Sequence, residues 1–241
     1  MAIKKNDIEP LRIYIGFDER ETIAWHVLVN SIMDSSSKPV TFMPLNLKNL
    51  NSFDLAKEDK RASNSFSYSR FLVPFLSGFN GKAIFMDCDM LMTTDIYQIL
   101  EETENLSKAV HLVKHDYKSK VTEKYLGNKQ ENYPRKNWSS FVVWNCSHAK
   151  NKILTPEYIK SASPAHLHRF LWLEDSEIGE LERDWNWLVT EYEVTNQTPL
   201  PKNIHWTLGG PYFNEYADSD FSDLWRDQFS KTIRVDQHEK N

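Results

Sequence analysis

Glycine is scarce in this sequence, with 7 in 241 residues, and the first apolar stretch turns on a single one, Gly16. A glycine-rich loop that would wrap a phosphate chain in backbone N–H groups is therefore lacking near the N-terminus. Cysteine is scarcer still. Cys88 and Cys146 are the two present and neither belongs to a CxxC pair, which excludes a disulfide framework or a cysteine-based zinc site and fits a reducing compartment. Positive charge is in deficit, with a net charge of -5 and a pI near 5.9, so no basic field exists to hold a nucleic-acid backbone. No apolar run approaches the roughly 18 residues of a membrane span, because His26, Asp87 and Asn145 interrupt the richest stretches. The opening MAIKKNDIEP has no apolar h-region, and a soluble, cytoplasmic protein is the expectation.

What is present is apolar and aromatic: 40% hydrophobic and 13% aromatic residues, with 8 Trp. That is enough for one α/β domain over residues 1–241, with 1–10 as a leader and 236–241 as a tail. Leu11 to Phe17 (LRIYIGF) reads as a strand, after which Asp18, with Glu21 three residues on, begins a helix carrying Ile23, Ala24, Val27, Leu28 and Ile32 at helical spacing. The helix ends near Ser35, ahead of Pro39, and Val40 to Leu45 forms a second strand. Residues 46–65 are polar and read as a long functional loop, Phe66 to Leu76 as a helix despite Pro74, and Lys82 to Met86 as a buried strand. Thr94 or Asp95 caps a helix through Leu100, Ala109 to Val113 and Ser139 to Trp144 are strands, and Thr155-Pro156 starts another helix. Strands alternating with helices predict a mostly parallel central sheet with helices on its faces, and ligands at the carboxyl ends of its strands.

FMDCDM lies at one such end. In extended backbone the side chains at i and i+2 share a face, so Asp87 and Asp89 point together and Cys88 points away. Two carboxylates following an apolar strand repel unless neutralised, and a hard divalent cation that also bridges phosphates is the usual remedy. The Trp-rich stretch with Trp172, Trp185 and Trp187 reads first as core and second as aromatic faces for an acceptor sugar, with Asn186 among them as a polar group to orient the site.

Several blocks then carry a resemblance over most of the chain. RIYIGFD, SYSRFLVPFL and KAIFMDCDML follow one another, succeeded by SSFVVWN, EDSEIGELERDWNWL and IHWTLGGPY. Together they resemble a glycosyltransferase of the GT-A fold (the Rossmann-like nucleotide-diphospho-sugar transferase fold) related to family 8, the glycogenin and lipopolysaccharide galactosyltransferase family. The resemblance implies a metal-dependent transferase moving a sugar from a nucleotide-sugar, with UDP as the nucleotide, to an unidentified acceptor, with retention of configuration. It implies that Asp87, Asp89 and His205 ligate the metal. A mixed oxygen and nitrogen set suits Mn²⁺ somewhat better than Mg²⁺. It also places Ile15, Phe17 and Asp18 at the base or ribose, Arg70 at the diphosphate or donor sugar, Cys88 within the donor-binding segment, and Asp175 or Glu177 as the carboxylate nearest the reacting carbon. Asp116, in KHDY after a strand, reads equally as a group for the donor-sugar hydroxyls and as a solvated turn residue.

Two departures stand out. The family's Asp-Gln-Asp reads Asp175-Ser176-Glu177, and its C-terminal Lys is absent where Gly209, Gly210 and Pro211 stand. Backbone N–H groups of the two glycines, or Lys60, Arg61 or Lys202, are the substitutes expected at the diphosphate. The alternatives are a haloacid dehalogenase-type phosphatase, suggested by FMDCDML, and a catalytically silent nucleotide-sugar-binding protein.

Overall fold

The computed structural model describes residues 9–53, 66–103, 107–116 and 134–234. Residues 1–8 of the expected leader, the expected tail, residues 54–65 of the 46–65 loop and the candidates Lys60 and Arg61 lie outside the described residues. Within them, the elements follow the order β1 (Leu11–Gly16), α1 (Thr22–Ser35), β2 (Val40–Leu45), α2 (Val73–Leu76), β3 (Lys82–Met86), β4 (Met90–Met92), α3 (Gln98–Glu102) and β5 (Val110–Leu112). The rest are β6 (Phe141–Asn145), α4 (Pro156–Ser161), α5 (Pro164–His168), β7 (Ile178–Glu180), β8 (Trp187–Leu188), β9 (Asn203–His205) and α6 (Ser222–Ile233).

A six-stranded sheet runs β2-β1-β3-β6-β5-β7, and a smaller one runs β4-β9-β8. In the large sheet β1 pairs in parallel with β2 and β3, and β5 with β7, while β6 alone runs antiparallel to both of its neighbours. The mixed α/β architecture agrees with the expectation. The reversal at β6 was not legible, because strand direction leaves no trace in a run such as SSFVVW. Central strands covered on both faces lose the two-residue alternation: β3 and β6 are buried along almost their whole length.

Helix α1 buries Ala24, Val27, Leu28, Ser31 and Ile32, one stripe at helical spacing. Its buried Ser31 hydroxyl accepts from the backbone N–H of Met92 at 3.1 Å, which ties β4 to the helix. Asp18 caps a short 3-10 turn, Glu19–Glu21, so α1 proper begins at Thr22 rather than at Asp18. Glu21 does not close a capping box; it is buried and accepts from the Tyr212 hydroxyl at 2.7 Å. Pro74 sits in the first turn of α2, where its missing N–H breaks no helical bond. The long helix expected over 66–76 is instead a 3-10 turn, Ser69–Leu72, followed by the single turn of α2. Trp185 is fully buried and Trp172 stacks on buried Trp144, with ring centroids 6.5 Å apart, so two of the three tryptophans serve the core. Trp187 is half-buried and lines a shallow concavity of about 470 Å³ with Arg183, Asp184 and Thr198.

Buried histidines make the fold acid-sensitive. Burial, with smaller contributions from Lys82 and Lys108, pulls His111 down to about 4 from an ordinary value of 6.5, and His115 and His168 are pulled down to about 3, again chiefly by burial. The unfolded chain then binds more protons than the folded one at any pH between those values, so stability is full above about 6.5 and is lost as pH falls through 4. Urea midpoints measured from pH 7 to pH 4 should fall steadily, and His111→Gln should shallow that dependence by about one proton. An unchanged slope would contradict the assignment.

Candidate metal and donor site

The strand ends bring three ligand groups together. β3 stops at Met86, and the ladder continues one step through the Asp87 N–H, which donates to the Ser140 carbonyl at 2.9 Å. Asp87-Cys88-Asp89 then crosses to the small sheet, where Met90 pairs with His205 in the antiparallel β4–β9 register. The Trp206 N–H donates to the Asp89 carbonyl at 3.0 Å, so the backbone itself holds His205 against Asp89 although 116 positions separate them in sequence. Its Nε2 lies 3.2 Å from Asp89 Oδ1. One ligand atom each from Asp87, Asp89 and His205 falls within 4.8 Å of the others. Cys88 points into the core, and burial first, then Glu21, Asp89, Asp87 and Asp18, pushes its thiol well above the ordinary range. A thiol so raised stays protonated and is a poor ligand.

Behind the three ligands runs a buried polar chain. His205 Nδ1 is 2.8 Å from Asn186 Oδ1, and the Asn186 amide nitrogen donates to Ser140 Oγ at 2.9 Å and lies 3.0 Å from His115 Nε2. His115 Nδ1 in turn meets the Tyr192 hydroxyl. On the other flank, Arg70 is 5% exposed, its guanidinium lying over the rings of Phe66 and Phe85 at 5.4 and 4.9 Å. It donates to the Ser139 carbonyl at 2.9 Å and pairs with Asp87 at 3.1 Å.

The remaining candidates separate. Ile15 has no exposed surface, and Asp18 is buried against Arg20 at 2.6 Å. Phe17 is half-buried and meets Trp25 edge-on. Asp116 is exposed, at the end of a described segment. The Gly209 N–H already donates to the Trp206 carbonyl at 3.1 Å, and Lys202 is held by Glu102 at 3.0 Å and Asp184 at 3.5 Å. A side chain at Gly209 would strike the Tyr216 ring and one at Gly210 the Tyr212 ring, which gives both glycines a packing reason. Since β7 runs in the same direction as β3, residues ahead of β7 lie toward the strand-start edge, whereas Asp87 and Asp89 lie beyond the strand ends. Asp175 is highly exposed and ion-paired with Arg135, and Glu177 accepts from the Glu174 N–H at 2.9 Å in a capping box. Ser140, His115, Tyr192 and Tyr212, which the sequence did not single out, carry ordinary hydroxyl and imidazole groups that gain meaning only when the chain is folded.

Two carboxylates and an imidazole, buried or nearly so and aimed at one point, form an oxygen- and nitrogen-rich set that a borderline or hard divalent cation fits.

No protein-family model matches the chain. Among solved structures, the bifunctional glycosyltransferase WbbM in its apo form superposes with a TM-score of 0.66 at 18% identity, covering 96% of this chain, which spans 51% of WbbM. The galactosyltransferase LgtC in complex with donor and acceptor sugar analogues superposes with a TM-score of 0.58 at 10% identity, over 94% of this chain and 98% of its own. GlyE of Streptococcus pneumoniae gives 0.56 at 11% identity, over 94% of this chain and 61% of GlyE. The fold is that of the GT-A glycosyltransferases. In sequence, Protein CDI of Arabidopsis thaliana is 41% identical over 235 residues, 96% of this chain and 90% of its own length, and the chain belongs to the same family as Protein CDI.

Proposed function

We propose that this protein is a metal-dependent glycosyltransferase, with Asp87, Asp89 and His205 holding the cation against the diphosphate of a nucleotide-sugar. The observation that carries the proposal is the convergence of those three side chains at the carboxyl end of β3, in a fold shared with solved glycosyltransferases. The family 8 likeness in the sequence supports UDP as the nucleotide, Mn²⁺ or Mg²⁺ as the metal and retention as the stereochemical course. When bound, such a cation neutralises the departing diphosphate and so stabilises charge where it develops.

This chain's own residues supply position and surroundings. Arg70, buried and bonded to Asp87, fixes that carboxylate toward the site and adds positive charge behind it. Phe17, at the end of β1 and beside Trp25, offers an aromatic edge for the base, while the Glu21–Tyr212 bond ties the GGPY segment to the turn before α1. The phosphatase alternative asks Asp87 to be a free nucleophile, which its pairing with a buried guanidinium disfavours.

The test is a panel of nucleotide-sugars with Mn²⁺, scored for nucleotide release and for the configuration of the product. Metal-dependent release from a UDP-sugar is the expected result; phosphate release from a simple phosphomonoester, or binding without any turnover, would reject the proposal. The same assay weighs the carboxylates ahead of β7. With Asp175 exposed and tied to Arg135, Asp175→Asn should change turnover by less than about fivefold, and a loss of several hundredfold would instead place it at the reacting carbon.

A further inference from the structure

We infer that Asn186 is a positioning residue which locks His205 in the tautomer carrying hydrogen on Nδ1, so that the Nε2 lone pair faces the space shared with Asp87 and Asp89. The inference follows from counting hydrogens along the buried chain. Ser140 has one hydroxyl hydrogen, and Oγ donates it to the Asn137 carbonyl at 2.7 Å. Toward Asn186, at 2.9 Å, that oxygen can only accept. The atom facing it must be the amide nitrogen, which settles which way the Asn186 side chain is turned. Its second hydrogen goes to His115 Nε2 at 3.0 Å, making that nitrogen an acceptor and leaving the His115 Nδ1–H for the Tyr192 hydroxyl. Asn186 Oδ1 is then the atom 2.8 Å from His205 Nδ1, and a carbonyl oxygen only accepts. His205 Nδ1 must carry a hydrogen.

In its neutral form His205 therefore presents a lone pair from Nε2, 3.2 Å from the Asp89 carboxylate oxygen. Two lone pairs facing at that distance repel unless a cation lies between them, so the chain behind the site arranges His205 as a ligand before any metal arrives. Asn186 is fully buried and uses both of its amide hydrogens and its carbonyl in this arrangement, which leaves it no other orientation without an unsatisfied group.

The metal role of His205 rests on the proposed function; the tautomer does not, and the experiment separates them. Nitrogen-15 spectra of histidine-labelled, metal-free protein should show His205 protonated at Nδ1, and a wild-type His205 with bare Nδ1 and protonated Nε2 overturns the inference. Mn²⁺ titration by calorimetry should give Asn186→Ala an affinity about 10–100-fold weaker than wild type. Asn186→Asp keeps an oxygen that accepts from Nδ1 but gives up the amide hydrogens to Ser140 and His115, so it should bind Mn²⁺ more weakly than wild type and more tightly than Asn186→Ala. Unchanged Mn²⁺ affinity and unchanged Nδ1 protonation in Asn186→Ala would overturn it too. If that variant does not fold, Asn186→Asp decides: retained Nδ1–H supports the inference, and a switch to Nε2–H rejects it. Should wild type bind no Mn²⁺, the metal reading falls, while the metal-free spectra still judge the tautomer.

Discussion

Asp89→Asn should lower sugar-transfer turnover about a thousandfold, roughly 4 kcal/mol of transition-state stabilisation, while leaving the metal-free protein as stable as the unsubstituted chain or more so. Activity and stability part in this way because the site is crowded with negative charge. The Cys88 thiol is pushed up by burial and then by Glu21, Asp89, Asp87 and Asp18, and the buried Tyr212 phenol likewise by burial, Glu21 and Asp89. Arg20 answers Asp18 and Arg70 answers Asp87, whereas Asp89 faces an imidazole nitrogen. An asparagine there removes one like charge and can donate from its amide to His205 Nε2, relieving repulsion without leaving a void. With Mn²⁺ at about a hundred times its dissociation constant, the wild type should gain about 2.7 kcal/mol of stability by mass action, and the variant much less. Melting curves with and without Mn²⁺, beside nucleotide-release kinetics, check both halves. Metal-dependent turnover within tenfold of wild type, or an equal Mn²⁺-induced rise in melting temperature, would remove Asp89 from the ligand set.

Much of this site could be read from the chain because its first two members are local. Asp87 and Asp89 follow an apolar run at the spacing that extended backbone turns to one side, and β1, β2 and β3 have clear apolar signatures with turn residues around them. His205 was assigned by resemblance, and the reason it arrives is a register: Met90 opposite His205 in β4–β9, strands of three residues each. Two or three residues without a longer apolar run around them hold no periodicity, so β4, β7, β8 and β9 are silent in sequence. The same holds for the chain through Ser140, Asn186, His115 and Tyr192, whose members come from four segments. Other expected site residues have partners that the chain alone does not display. Gly209 spends its N–H on Trp206, Lys202 its charge on Glu102 and Asp184, and the Asp175-Ser176-Glu177 segment lies directly ahead of β7. Motif position fixes neighbours along the chain, whereas strand direction decides which edge of the sheet those neighbours occupy.

Arg70 is the residue for which the motif and the fold suggest different tasks, and Arg70→Met distinguishes them. At 5% exposure, between two phenylalanine rings and bonded to the Ser139 carbonyl and Asp87, it serves the protein before it serves a ligand. Removing one partner of a buried ion pair costs about 3–5 kcal/mol, because the other charge stays buried without its counter-ion. Methionine fills the slot between the rings and keeps the van der Waals contacts, so a loss of that size measures the charge and not a cavity. Replacing Asp87 as well, in Arg70→Met with Asp87→Leu, removes the stranded carboxylate and should restore most of the lost stability, with turnover lost if Asp87 is the metal ligand proposed above. Denaturant unfolding of the two variants in metal-free buffer gives the comparison. If Arg70 instead acts mainly on the diphosphate, Arg70→Met alone should keep its stability and show a raised KM for the donor. The double variant would then be no more stable than the single one, and the guanidinium would belong to the ligand rather than to Asp87.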